Sequence, residues 1–154
     1  YCIGDMYYID DVVYNNGLPE VTRPLVANKW MEHKVVRADV EMNNGGNYYA
    51  EDLDNLLKAG GGKTSIRMFF SSNNKNTKII TYSDFVKKHF VFRHPSTYHP
   101  QSEYAKFMKD LLSWTQLGNN PHDDAPDAVA MLAQLVQDIS YNQIKIMNRR
   151  ELQL

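Results

Sequence analysis

Apolar positions along the chain recur with two periods, and the switches between them mark out its elements. Tyr1-Cys2-Ile3 and the aromatic, β-branched run from Met6 to Tyr14 flank the turn signal Gly4-Asp5, so the chain begins as a β-hairpin that ends at Asn15-Asn16-Gly17. From Glu20 to His33 the spacing becomes helical, with Val21, Leu25, Val26, Trp30 and Met31 apolar and Pro24 in the first turn. Val35 to Met42 is a short, largely apolar strand interrupted by Asp39 and Glu41, which stand at i and i+2 and share a face. Asn43-Asn44-Gly45-Gly46 closes it. Tyr48 to Ala59 is a helix built on Leu53, Leu56 and Leu57, stopped by Gly60-Gly61-Gly62.

The second half repeats the alternation. Ser65 to Phe70 reads as a strand, Ser71 to Asn76 as a polar loop, Ile79 to Lys88 as a helix, His89 to Arg93 as a short aromatic strand and His94 to Pro100 as a loop. Gln101 to Leu117 is amphipathic, with Tyr104, Phe107, Met108, Leu111, Leu112 and Trp114 on its apolar side. After Gly118-Asn119-Asn120-Pro121 a last helical pattern opens at His122-Asp123-Asp124-Ala125-Pro126-Asp127-Ala128-Val129 and continues through Met131, Leu132, Leu135, Val136 and Ile139. Residues 1–140 read as one α/β domain and residues 141–154 as a loosely attached polar tail.

Composition changes this picture in a few places. A chain of 154 residues with two Trp, ten Tyr and six Phe has the means to build a core. No apolar run is long enough to cross a membrane, and no basic segment followed by an apolar one stands at the start. The single cysteine, Cys2, rules out an internal disulfide and fits a reducing compartment. A net charge of −1 denies the chain a strongly basic coat. The local clusters Lys29/Lys34/Arg37, Lys58/Lys63/Arg67, Lys75/Lys78 and Lys87/Lys88/Arg93 read mainly as solvated surface.

Two stretches concentrate carboxylates. At the start of the last helix, Asp124 as N-cap puts Pro126 in the first turn and Asp127 near the third helical position. Asp123, Asp124 and Asp127 then lie on one side of the helix start, either capping it and favouring its positive end, or turning into a cleft to bind a divalent cation. Further upstream, Glu41 ends a strand that follows a helix and is expected to be parallel and buried. An acid there is costly unless it is paired, binds something or leaves the sheet for water. Gly62-Lys63-Thr64 is no P-loop, because Leu57 stands where the first glycine belongs and a helix precedes it. His94 and His99, five apart on a loop, lack zinc spacing.

Val40-Glu41-Met42-Asn43-Asn44-Gly45-Gly46 and His122-Asp123-Asp124-Ala125-Pro126-Asp127-Ala128-Val129, together with the order of elements between them, resemble the C-terminal nuclease domain of the large terminase subunit of tailed bacteriophages. That domain belongs to the ribonuclease H-like superfamily, and the resemblance covers nearly the whole chain. It implies a mixed β-sheet flanked by helices on both faces. It also implies a site for two Mg²⁺ or Mn²⁺ ions and endonuclease action on concatemeric viral DNA during packaging. By this resemblance Glu41, Asp127 and Asp124 are the catalytic metal ligands, and His122 could orient an acid or a water. The first-strand aspartate of the family would precede Tyr1, and Asp5, Asp10 and Asp11 do not replace it, so a first strand largely missing, an absent ATPase domain and impaired activity are expected. Expected partners are double-stranded DNA, the portal protein and the small terminase subunit, in the cytoplasm of a host bacterium. A non-catalytic DNA-binding or motor-docking module, or another ribonuclease H-like nuclease such as a junction resolvase, are the competing expectations.

Overall fold

The computed structural model describes residues 1–42, 46–71 and 74–151. It is a mixed α/β protein whose elements follow one another as β1 (Cys2–Ile3), β2 (Met6–Ile9), α1 (Pro19–Glu32), β3 (Arg37–Glu41), α2 (Gly46–Ala59), β4 (Ser65–Phe69), α3 (Lys75–His89), β5 (Phe90–Phe92), α4 (Glu103–Ser113) and α5 (Asp124–Glu151). The chain forms two compact units, Tyr1–Val12 with Asn73–Leu154 and the inserted Val13–Ser72, where the sequence suggested no division within residues 1–140. Asn43, Asn44 and Gly45, expected to close the strand after Glu41, lie outside the described residues.

In the first unit β1 and β2 form the expected hairpin, with Gly4 at φ +62° making the turn, but its second arm ends at Ile9, short of the expected Tyr14. β2 then pairs in parallel with β5, Tyr7 opposite Phe90 and Ile9 opposite Phe92. Aromatic rings run outward from this ladder: Tyr7 meets Phe90 at 5.7 Å between centroids, and Phe92 meets Phe107 of α4 at 6.4 Å. Tyr104 fastens the same elements with hydrogen bonds, donating its hydroxyl proton to Ile9 O at 2.6 Å and accepting from Arg93 N at 3.0 Å. Helix α3 packs on α5, where Ala125, Val129 and Ala133 are buried at i, i+4 and i+8 and let the backbones approach. α5 continues through Glu151, across most of the stretch read as a tail, whereas α4 stops at Ser113, short of the expected Leu117.

In the second unit β3 and β4 pair in parallel from Arg37 opposite Ser65 to Glu41 opposite Phe69, as expected for a strand that follows a helix. Ile66 reaches the core formed by Ala27, Leu53 and Leu57 of α1 and α2. Leu56, grouped with those leucines by its spacing, is 37 % exposed. α1 starts at Pro19, so Pro24 sits beyond the first turn, inside the helix. Both helices end in the same backbone motif. Gly62 N–H donates to Leu57 O and Gly61 N–H to Lys58 O around Gly61 at φ +74°; Val35 N–H donates to Trp30 O and Lys34 N–H to Met31 O around Lys34 at φ +51°.

Candidate functional site

The acidic start of α5 is set one residue earlier than the sequence suggested. Asp127 N–H donates to Asp123 O at 3.0 Å, so Asp123 is the N-cap and Asp124 the first helical residue. The facing helix α3 is started by Asn74, whose side chain accepts from Asn76 N at 3.0 Å and Thr77 N at 3.4 Å. That start places Lys75 and Lys78, three apart and therefore on one face of α3, against the three aspartates. Lys75 Nζ donates to Asp123 Oδ1 at 3.0 Å and to Asp124 Oδ1 at 3.1 Å. Partial burial works to lower the Lys75 pKa, but those hydrogen bonds and the two negative charges outweigh it and hold the ammonium above the ordinary lysine value.

Lys78 is the buried member of the pair, against its reading as surface. Its side chain is 2 % exposed and that of Asp127 10 %, with Nζ lying 2.7 Å from Asp127 Oδ1. The separation is that of an ion pair, while Oδ1 has no partner within hydrogen-bond geometry, so the contact is Coulombic more than directional. Two buried charges of opposite sign hold each other in place, and removing one strands the other. Asp127 is therefore tied to the core of its unit. Asp124, with a side chain 79 % exposed, is open to water.

The other acidic stretch lies in the second unit. Asp39 stands directly across from Arg67, and its side chain is only 8 % exposed. Oδ2 accepts from both Nε (2.9 Å) and Nη2 of Arg67, and Oδ1 accepts from Arg37 Nε at 3.1 Å. The sequence singled out Asp39 by its spacing from Glu41, but the arginine two residues before it and the one across the ladder determine what it does. Glu41 is the last residue of β3, half-buried, and the ladder continues past it with Met42 N–H donating to Phe69 O at 2.9 Å.

The structure thus brings Asp123, Asp124 and Asp127 together at one helix start, with Lys75 and Lys78, and sets Glu41 at the carboxyl end of a parallel strand in the other unit. His122 is exposed. Among the described residues no three His, Cys, Asp or Glu side chains form a group able to hold a metal ion. The chain matches no protein-family model, no curated protein and no solved structure. Among the described residues no helix is long and apolar enough to cross a membrane.

Chemically, the start of α5 gathers carboxylate oxygens around cations. Asp123 and Asp124 turn one oxygen each toward a single positive centre, a donor pair suited to a hard divalent ion. Using Asp127 as a further ligand would draw its carboxylate off the buried Lys78 ammonium. Lys75 and Lys78 carry a signal in the sequence, two lysines at i and i+3 near a helix start, but nothing in it names the acids they meet.

Proposed function

We propose that this chain is a metal-dependent DNA endonuclease domain of the terminase type with a ribonuclease H-like arrangement, acting on concatemeric double-stranded DNA during packaging. The observation that supports it best is the convergence of Asp123 and Asp124 on one cation at the N-terminus of the last helix. Glu41 at the carboxyl end of the parallel strand β3 adds to it. In this reading Asp124 is the ligand that the last helix offers, and Glu41 is the acid that the family resemblance assigns on β3. Asp127, placed first by the family resemblance, holds the helix start against Lys78.

Bound Mg²⁺ or Mn²⁺ would supply an activated water and neutralise charge building on the phosphate. The residues of the chain have their own tasks. Asp124 is exposed and exchanges Lys75 for another cation at little cost, since a half-exposed ion pair is worth about 0.2–1 kcal/mol. Glu41 carries its carboxylate on a strand fixed by the ladder to β4. By the same resemblance the partners are the portal protein and the small terminase subunit, in a host bacterial cytoplasm.

A specific observation favours a second reading, a non-catalytic DNA-binding or motor-docking module: the acids at the start of α5 are already engaged by Lys75 and Lys78. Cleavage of linear duplex in Mn²⁺, with duplex binding followed separately, divides the two. For the endonuclease, Glu41→Ala and Asp124→Ala each reduce cleavage by more than roughly tenfold and leave binding intact. Duplex binding without cutting that is the same with and without Mn²⁺ and unaffected by either substitution establishes the docking module instead.

A further inference from the structure

The polar face of the β3–β4 ladder gathers two arginines around one buried acid. Residues 37, 39 and 41 of β3 and 65, 67 and 69 of β4 fall on one side of the pair, because side chains alternate along a strand and opposed residues share a face. Arg37, Asp39 and Arg67 on that face form one hydrogen-bonded group. The carboxylate is covered at 8 % exposure, whereas Arg37 and Arg67 are 36 % and 52 % exposed. Two guanidiniums share one carboxylate and stand side by side; with Glu41 on the same face the charges balance two against two, and in the endonuclease reading a metal ion at Glu41 would take up the second acid's charge.

Donors remain on the water side. Arg67 spends Nε and Nη2 on Asp39, and Arg37 spends Nε alone, so Nη1 of Arg67 and both terminal nitrogens of Arg37 make no bond to Asp39. Ser65, exposed and directly across from Arg37, adds a hydroxyl on the same face. A fixed pair of guanidiniums facing outward matches a tetrahedral oxyanion, which accepts from both and relieves their mutual repulsion.

We propose that Arg37 and Arg67, held in register by Asp39, form a phosphate-binding subsite for the DNA backbone. This rests on the endonuclease reading for its ligand. Glu41 stands two residues beyond Asp39 on the same face, roughly 6.6 Å along the strand, comparable with the spacing of neighbouring phosphates on one DNA strand. A phosphate at the arginines is then the neighbour of the phosphate presented at Glu41, and the subsite sets where along the strand the cut falls. Asp39 is a positioning residue: it keeps both guanidiniums in one place before DNA arrives.

The test is duplex affinity against salt concentration, by fluorescence anisotropy, for wild type, Arg37→Gln, Arg67→Gln and Lys58→Gln, each checked for folding by its melting curve. Lys58 is an exposed cation of the same unit, paired with Asp54 on α2 away from this face. Each arginine substitution should weaken binding and lower the salt slope by about 1, while Lys58→Gln leaves both unchanged. Arg37→Gln keeps the two-pronged Arg67–Asp39 bond and so guards against loss of fold. Wild-type binding with unchanged slopes in the arginine variants, or an equal fall in Lys58→Gln, overturns the subsite and leaves the endonuclease standing. Failure of the wild type to bind duplex at low salt overturns both.

Discussion

Asp127 and Asp124 differ by three positions and by almost everything physical. Asp127 faces a lysine with no route to water, while Asp124 shares Lys75 with Asp123 at the surface. Two magnitudes follow. Lys78→Ala leaves the Asp127 carboxylate buried beside a cavity and should cost roughly 3–5 kcal/mol in a urea titration. Lys75→Ala should cost no more than about 1 kcal/mol, discounted for solvent screening. If Lys78→Ala unfolds at the wild-type midpoint, the ion pair does not hold the helix start. Lys34 is a second residue with a readable balance: its φ of +51° favours glycine, and its backbone N–H is already engaged with Met31 O. Lys34→Gly should therefore stabilise the protein by up to about 1 kcal/mol, seen as a rise in Tm.

At the level of elements, Tyr104 does for β2, β5 and α4 what no single strand pair does. Its hydroxyl joins Ile9 O, at the end of β2, to Arg93 N, just past β5, and the Arg93 guanidinium lies 5.6 Å from its ring. Burial raises the phenol pKa; the Arg93 hydrogen bond and charge pull the other way without cancelling it. The folded state therefore binds the phenolic proton more tightly than the unfolded chain, whose tyrosine titrates near 10.0. The stability this contributes is complete below about pH 10 and is lost as pH rises through the higher folded value. Tyr82, raised by burial and by Asp138, and Lys75 act with the same sign. Tyr104→Phe should lower stability at neutral pH by about 1–3 kcal/mol and flatten the alkaline decline, which denaturant titrations at pH 8 and pH 11 measure. An equally steep alkaline loss in the variant would assign that loss to the other groups.

For the whole molecule, the division into two units makes its own prediction, because each unit holds one of the two tryptophans: Trp30 in Val13–Ser72 and Trp114 in the other. The buried core of the smaller unit is Ala27, Ala38, Ala50, Leu53 and Leu57, whereas the larger has Ile79, Phe90, Tyr104, Phe107 and the buried stripe of α5. Less buried apolar surface means a lower midpoint. In urea, Trp114→Phe, which leaves Trp30 as the reporter, should show a transition at lower denaturant than Trp30→Phe; coincident transitions would mean that the chain unfolds as one cooperative body.

The sequence by itself determined which residues form helices and strands, because periodicity and breakers act over a few positions. The hairpin around Gly4, the strand ending at Glu41, the stop at Gly60-Gly61-Gly62 and the last helix opening at its aspartates were all legible. Local pattern also overreached: it carried α4 to Leu117, placed Pro24 in a first turn and counted Leu56 with the core, since it cannot see where a helix loses its packing partner. Only the tertiary structure decided what the acids face. Asp39 meets Arg67 across 28 positions and Asp127 meets Lys78 across 49, and separations of that length are closed by strand pairing and helix packing, for which neighbouring residues carry no signal. The same carboxylates that read as one cation-binding set in sequence are divided by the fold into a surface pair on Lys75, a buried charge on Lys78 and an arginine-covered strand acid, because desolvation and the nearest opposite charge determine what a carboxylate can do.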